Sequence, residues 1–251
     1  MLAFANLLQP GVSGLPVRPH QEWGDNDGII AVPSVWSLMK HAALGLRAHS
    51  GWTALVAVSL EKDGPRILVR QRPKLVETFT YEFRQPYHSA EKMSLDKARE
   101  FIFRVESEAQ RLAVEAIRPI RAGLRREGYE LTCLALPLAS ARALPDLATV
   151  LSSHALIHSA DGELFRRALI QGGKRCHVPA LTFKERELFS VACQTLRIKD
   201  DELRVLLTAL GRPMGSPWSQ DEKIAALAAW LALYFPRTRH RGAIPGTQYP
   251  S

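Results

Sequence analysis

"WTALVAVSLEKDGPRILVRQRPKLVETFTYEF", residues 52–83, decides how this chain is read. Residues 52–60 are a continuous apolar run of strand length, closed by the turn formers of "EKDGP". "RILVRQRPKLV" (66–76) follows that short connection, which suits an antiparallel hairpin. Pro73 has no N–H to give a ladder, so the end of this strand belongs at an edge or a bulge. "TFTYEF" (78–83) alternates apolar and polar side chains, as a half-buried third strand does. Three consecutive antiparallel strands are expected to open the domain.

Downstream the apolar period lengthens to 3.6. Phe101, Val105, Ala109, Leu112, Ala116, Ile120 and Leu124 fall three or four apart and make one helical stripe between Ser94 and Glu127. Ser94 is placed to cap this helix, Pro119 to kink or break it, and Gly128 to stop it. "YELTCLALPLA" (129–139) has the apolar run of a buried fourth strand, and "CHVPALTF" (176–183) suits a fifth. Between them, 144–173 is helical in composition and broken near Asp161-Gly162. Thr182 and Glu185 have capping-box spacing ahead of one helix, and 199–211 forms another that stops at Gly211. Ser219 and Glu222 repeat the box before a last helix that Pro236 ends.

At the N-terminus, residues 1–46 are rich in turn formers through "QPGVSGLPVRPHQEWGDNDG" and read as a loop-like arm with a short helix over 34–46. Residues 47–236 are then the α/β domain, and 237–251 a basic flexible tail.

Composition narrows the class. The 251 residues are 46% hydrophobic and 23% charged, as in a soluble globular protein. No apolar run approaches the roughly 18 residues of a membrane span. No basic residue precedes the short apolar run at the start, and Pro10 interrupts it, against a secretory signal. Cys133, Cys176 and Cys193 are odd in number and far apart, which suits reduced thiols in a cytoplasmic protein. The net charge of +8 points to a polyanionic partner such as nucleic acid. The alternative is an arginine-rich protein that is basic without such a partner.

The order β-β-β-α-β-α-β-α across residues 52–235 resembles the ribonuclease H-like superfold. "PWSQDEKIAALAAWLAL" looks like the last helix of RuvC-type resolvases, with an acid at its start and alanine-rich packing after it. That resemblance implies carboxylates converging on Mg²⁺ or Mn²⁺, which activate water against a phosphodiester. It implies one aspartate midway along the first strand, another acid ending the fourth, and two in the final helix. The run 52–60 carries no acid, with Ser59 and Glu61 the nearest polar residues, and the fourth strand is equally empty at its end. Asp221 fits the first helical position, but Ile224 occupies the second. An acidic site with this pattern is degenerate.

Other polar residues cluster. "HALIHSADGELFRRAL" (154–169) puts His154, His158 and Asp161 on one helical face, where imidazoles and a carboxylate suit a metal or a general base. Asp161, Glu163, His158 and Asp221 are the candidate catalytic residues, with Asp161 and Asp221 the candidate metal ligands. The alternative for the segment is packed, half-buried histidines beside a solvated face of Glu163, Arg166 and Arg167. His49 and Ser50 precede the first strand in "RAHSGW", Tyr87 and His88 follow the third in "QPYHSAEK", and Lys223 lies beside Asp221. His49, Ser50, His88 and Lys223 are the candidate substrate-binding residues. "GRPMGSPW" (211–218) lacks the Gly-Lys-Ser/Thr ending of a P-loop and reads as a structural turn. Two functions stand open: a metal-dependent enzyme acting on nucleic acid or another phosphate ester, and a non-catalytic module that binds nucleic acid or protein.

Overall fold

The computed structural model of the protein describes residues 39–138 and 143–235. Most of the arm and the whole tail lie outside the described residues. Five strands, β1 (Lys40–His49), β2 (Trp52–Glu61), β3 (Gly64–Gln71), β4 (Tyr129–Leu138) and β5 (Ala180–Lys184), form one sheet in the order β3-β2-β1-β4-β5. β1, β2 and β3 are antiparallel neighbours, while β4 runs parallel to β1 and β5 parallel to β4. Three antiparallel strands, a long helix and then helices alternating with parallel strands make this the ribonuclease H-like α/β fold.

β1 corrects the first expectation. Residues 40–46, read as part of an arm with a short helix, are strand, and β1 is the central strand of the sheet. Its alternate residues face opposite cores. Ala42, Leu44 and Leu46 join the core under α3 (Leu95–Arg126) and α5 (His154–Arg175), and Ala43 joins the one under α8 (Gln220–Ala232). A strand covered on both faces loses the polar alternation that marks half-buried strands, and Ala-Leu runs suit helices equally. Gly45 shows how tight the α8 side is. A Cβ there would lie 1.8 Å from the Ala225 carbonyl oxygen, so β1 admits α8 only through a glycine. Gly51, at φ +82°, makes the β1–β2 turn.

The third strand is also corrected. "TFTYEF" pairs with nothing as a strand; it contributes a short helix, α1 (Tyr81–Arg84), followed by α2 (Pro86–Ala90). Its alternation misleads because Thr78, Phe79, Thr80, Tyr81 and Glu82 are all exposed. Just before it, backbone bonds from Thr53 N–H to the Pro73 carbonyl and from Leu75 N–H to the Gly51 carbonyl, 3.1 and 2.8 Å, hold residues 73–75 against the β1–β2 turn.

Elsewhere the boundaries move. α3 runs unbroken through Pro119, because Pro119 and Glu115, whose carbonyl loses its donor, both face solvent. Its buried line passes through Ala113 and Ile117, with Leu112 and Ala116 only half-buried. The break expected at Asp161-Gly162 lies earlier, between α4 (Leu147–Leu151) and α5. β5 starts at Ala180 rather than at 176, and Thr182 is a buried strand residue rather than a cap. A 3-10 turn over Glu185–Glu187 then leads into α6 (Leu188–Leu196), and α7 (Asp200–Leu210) follows. The Ser219/Glu222 capping box forms as expected at the start of α8. Among the described residues, no helix is long and apolar enough to cross a membrane.

Candidate functional site

Parallel pairing sends the C-terminal ends of β1, β4 and β5 to one edge of the sheet, and the first turn of α8 meets them there. Arg47, near the end of β1, donates from Nη1 to Asp221 Oδ1 and from Nη2 to Glu185 Oε1, the latter at 2.7 Å. Glu185 follows β5 directly, so one guanidinium joins three elements. His49 Nε2 lies 3.0 Å from Asp221 Oδ1, yet is buried without a directed hydrogen bond. Its ring stacks on Trp52 at 4.4 Å between centroids, with the planes 7° apart.

Beside this pair, Glu222 is only 1% exposed and is held from three directions. Arg72 Nε donates to its Oε1 at 2.5 Å, and the Ser219 N–H and hydroxyl donate to Oε2. Burial pushes the Glu222 carboxyl up, but the bonds from Arg72 and Ser219 outweigh it and bring it down to about 2. Ser50 offers its carbonyl to Arg84 Nε at 3.2 Å, and Lys223 is half-buried in the first turn of α8. The "GRPMGSPW" turn shows its carbonyls to a cation: Arg70 Nη1 donates to Gly215 O and Pro217 O, at 2.9 and 2.6 Å.

A second cluster forms where α2 meets the start of α5. Asp161, 3% exposed, accepts from the Tyr87 N–H through Oδ1 at 2.7 Å and faces His88 Nδ1 through Oδ2 at 2.5 Å. Burial pushes the Asp161 carboxyl up, against the opposing bonds from His88 and Tyr87. His154 and His158, one turn apart on α5, approach at 3.2 Å between their Nε2 atoms. The His88 ring is edge-on to both, at 5.2 and 4.4 Å between centroids. Glu163 pairs with Arg166 Nε at 3.0 Å, away from this contact set.

The fold therefore brings His88, His158 and Asp161 together, and separately His49 and Asp221. Asp161 and Asp221 belong to different clusters. Arg47 escaped the reading of the sequence, since no motif marks an arginine that will face two acids 138 and 174 residues away. His154 stands out in the sequence only through its helical spacing from His158.

The strand-end cluster does not fit the two divalent cations that the resolvase likeness implies. β1 carries no acid, and the only acid of β4, Glu130, sits at its start. Asp221 and Glu185 already share a guanidinium, so an added cation would meet a positive charge.

No protein-family model and no curated protein matches the sequence. Among solved structures, Thermus thermophilus RuvC in complex with Holliday junction substrate aligns at 10% identity and a TM-score of 0.45, covering 77% of this chain and 93% of that one. The yeast mitochondrial Holliday junction resolvase Ydc2 aligns at 11% identity and 0.41, covering 76% of each chain. An exopolyphosphatase from Cytophaga hutchinsonii aligns at 9% and 0.31, covering 60% of this chain and 36% of that one. Likeness at these identities concerns the fold and leaves function to the residues. The ribonuclease H-like fold of the chain rests on its own strand order and directions, and in that fold it is distantly similar to RuvC-type resolvases.

Proposed function

We propose that this domain binds nucleic acid along the β1–β2 turn and the 72–84 segment, and does not cut it at the strand-end carboxylates. Arg47 carries the reading. Its guanidinium bonds Asp221 and Glu185 and so supplies from the chain the positive charge that a bound cation would bring. A carboxylate pair that shares a guanidinium already holds its counter-charge, and would have to give it up to take Mg²⁺ or Mn²⁺.

The same edge has the composition of a surface for single strands. Phe79 and Tyr81 are 40% and 61% exposed. Lys74 Nζ and Arg84 Cζ lie 5.4 and 4.6 Å from the Phe79 ring centroid, and Arg72 Cζ lies 5.3 Å from that of Trp52. Exposed rings beside cations give bases a face to stack on and phosphates a charge to meet. The net charge of +8 acts in the same sense at long range. Cys133, Cys176 and Cys193 are not joined in disulfides, which suits a reducing, cytoplasmic setting.

The test is the salt dependence of binding to fluorescent single-stranded DNA. Combining Lys74→Ala with Arg84→Ala should flatten the slope of log K against log salt by about 1.4, at about 0.7 per lost phosphate contact. Absence of binding at low salt, or a slope unchanged in the double variant, would remove this reading.

A further inference from the structure

We propose that His88, His154 and His158 form a binding site for a zinc-class transition-metal ion, separate from the strand-end carboxylates. One ring nitrogen from each of the three lies within 4.8 Å of the others. The 3.2 Å between His154 Nε2 and His158 Nε2 nearly equals a ligand–ligand edge of tetrahedral zinc. With Zn–N bonds of 2.0–2.1 Å, that edge is about 3.3–3.4 Å. The i, i+4 spacing on α5 places both imidazoles on one face, and α2 brings the third from a different part of the chain.

Asp161 completes the arrangement without being a ligand. Its Oδ2 faces His88 Nδ1 at 2.5 Å, which fixes the ring and leaves Nε2 as the nitrogen open to a metal. Its Oδ1 is engaged by the Tyr87 N–H. A buried carboxylate behind a histidine is the usual support of a histidine–metal bond, orienting the ring and raising its basicity. Three nitrogen donors select zinc, cobalt, nickel or copper over magnesium, which prefers oxygen. Exposure of His154 and His158 gives an ion a route in and leaves its fourth position open to water.

Metal-free full-length protein is titrated with Co²⁺, followed by the visible absorption of a four-coordinate centre, and with Zn²⁺ by calorimetry. One ion per chain is expected, with the signal lost in His154→Ala and in His158→Ala. Both side chains are exposed, so both variants should keep the wild-type circular dichroism and melting temperature. Asp161→Asn should weaken binding about 10- to 100-fold, as loss of an orienting partner does. His41→Ala, an exposed imidazole elsewhere, should bind as the wild type does. No saturable binding by the wild type, or binding that survives both His154→Ala and His158→Ala, overturns the proposal.

Discussion

Glu222→Gln isolates the ion pair that fixes the start of α8 to the sheet. The buried carboxylate receives Arg72 Nε at 2.5 Å and both Ser219 donors, and it ionises at about 2 rather than 4.5. That lowering corresponds to about 3 kcal/mol of folding free energy. Arg72 is 42% exposed, so solvent screening reduces the figure to about 2 kcal/mol. Because the folded pKa is the lower one, the contribution is complete above pH 4.5 and is lost as pH falls through 2. With its amide oxygen turned to Ser219, glutamine keeps the capping box, while its NH2 cannot accept from Arg72 Nε, so the charge and the Arg72 bond are lost together. Urea unfolding, followed by tryptophan fluorescence, gives the stability at each pH. The variant should be about 2 kcal/mol less stable at pH 7, and the gap should narrow as the wild-type carboxylate protonates. A loss below about 0.5 kcal/mol at pH 7, within what ordinary surface changes do, would refute the ion-pair account.

Two further outcomes follow from the same edge. Arg47→Asp removes the guanidinium and sets a third carboxylate beside Asp221 and Glu185, so calorimetry should detect Mg²⁺ binding that the wild type lacks. Gly45→Ala drives a methyl group into the Ala225 carbonyl at 1.8 Å, and thermal melts should show a loss of at least 1–3 kcal/mol, the usual cost of overpacking.

The sequence carried the fold class well and the identity of individual strands less well. β2 and β3 are apolar runs joined by a turn, which local pattern reveals. β1 is harder to see, because helices distant in the chain cover both its faces and so erase the polar alternation of a half-buried strand. The exposed alternation of 78–83 took its place in the count of three strands. The long helix was legible from its stripe, whereas the effect of Pro119 depended on which side faced water. Asp161-Gly162 looked like a turn because its aspartate is polar; in the fold that aspartate leaves the helix surface to meet His88 and Tyr87. The histidine cluster was half visible. Helical spacing gave His154, His158 and Asp161, but His88 joins them only through a contact spanning 73 residues.

The most direct test incubates the protein with a labelled four-way DNA junction and labelled single strands in Mg²⁺, reading binding and strand cleavage on the same gels. The expected result is retention that falls steeply with salt and leaves every strand intact. Cut strands from the wild type, lost in Asp221→Asn, would show that the carboxylates work despite Arg47 and would contradict the account.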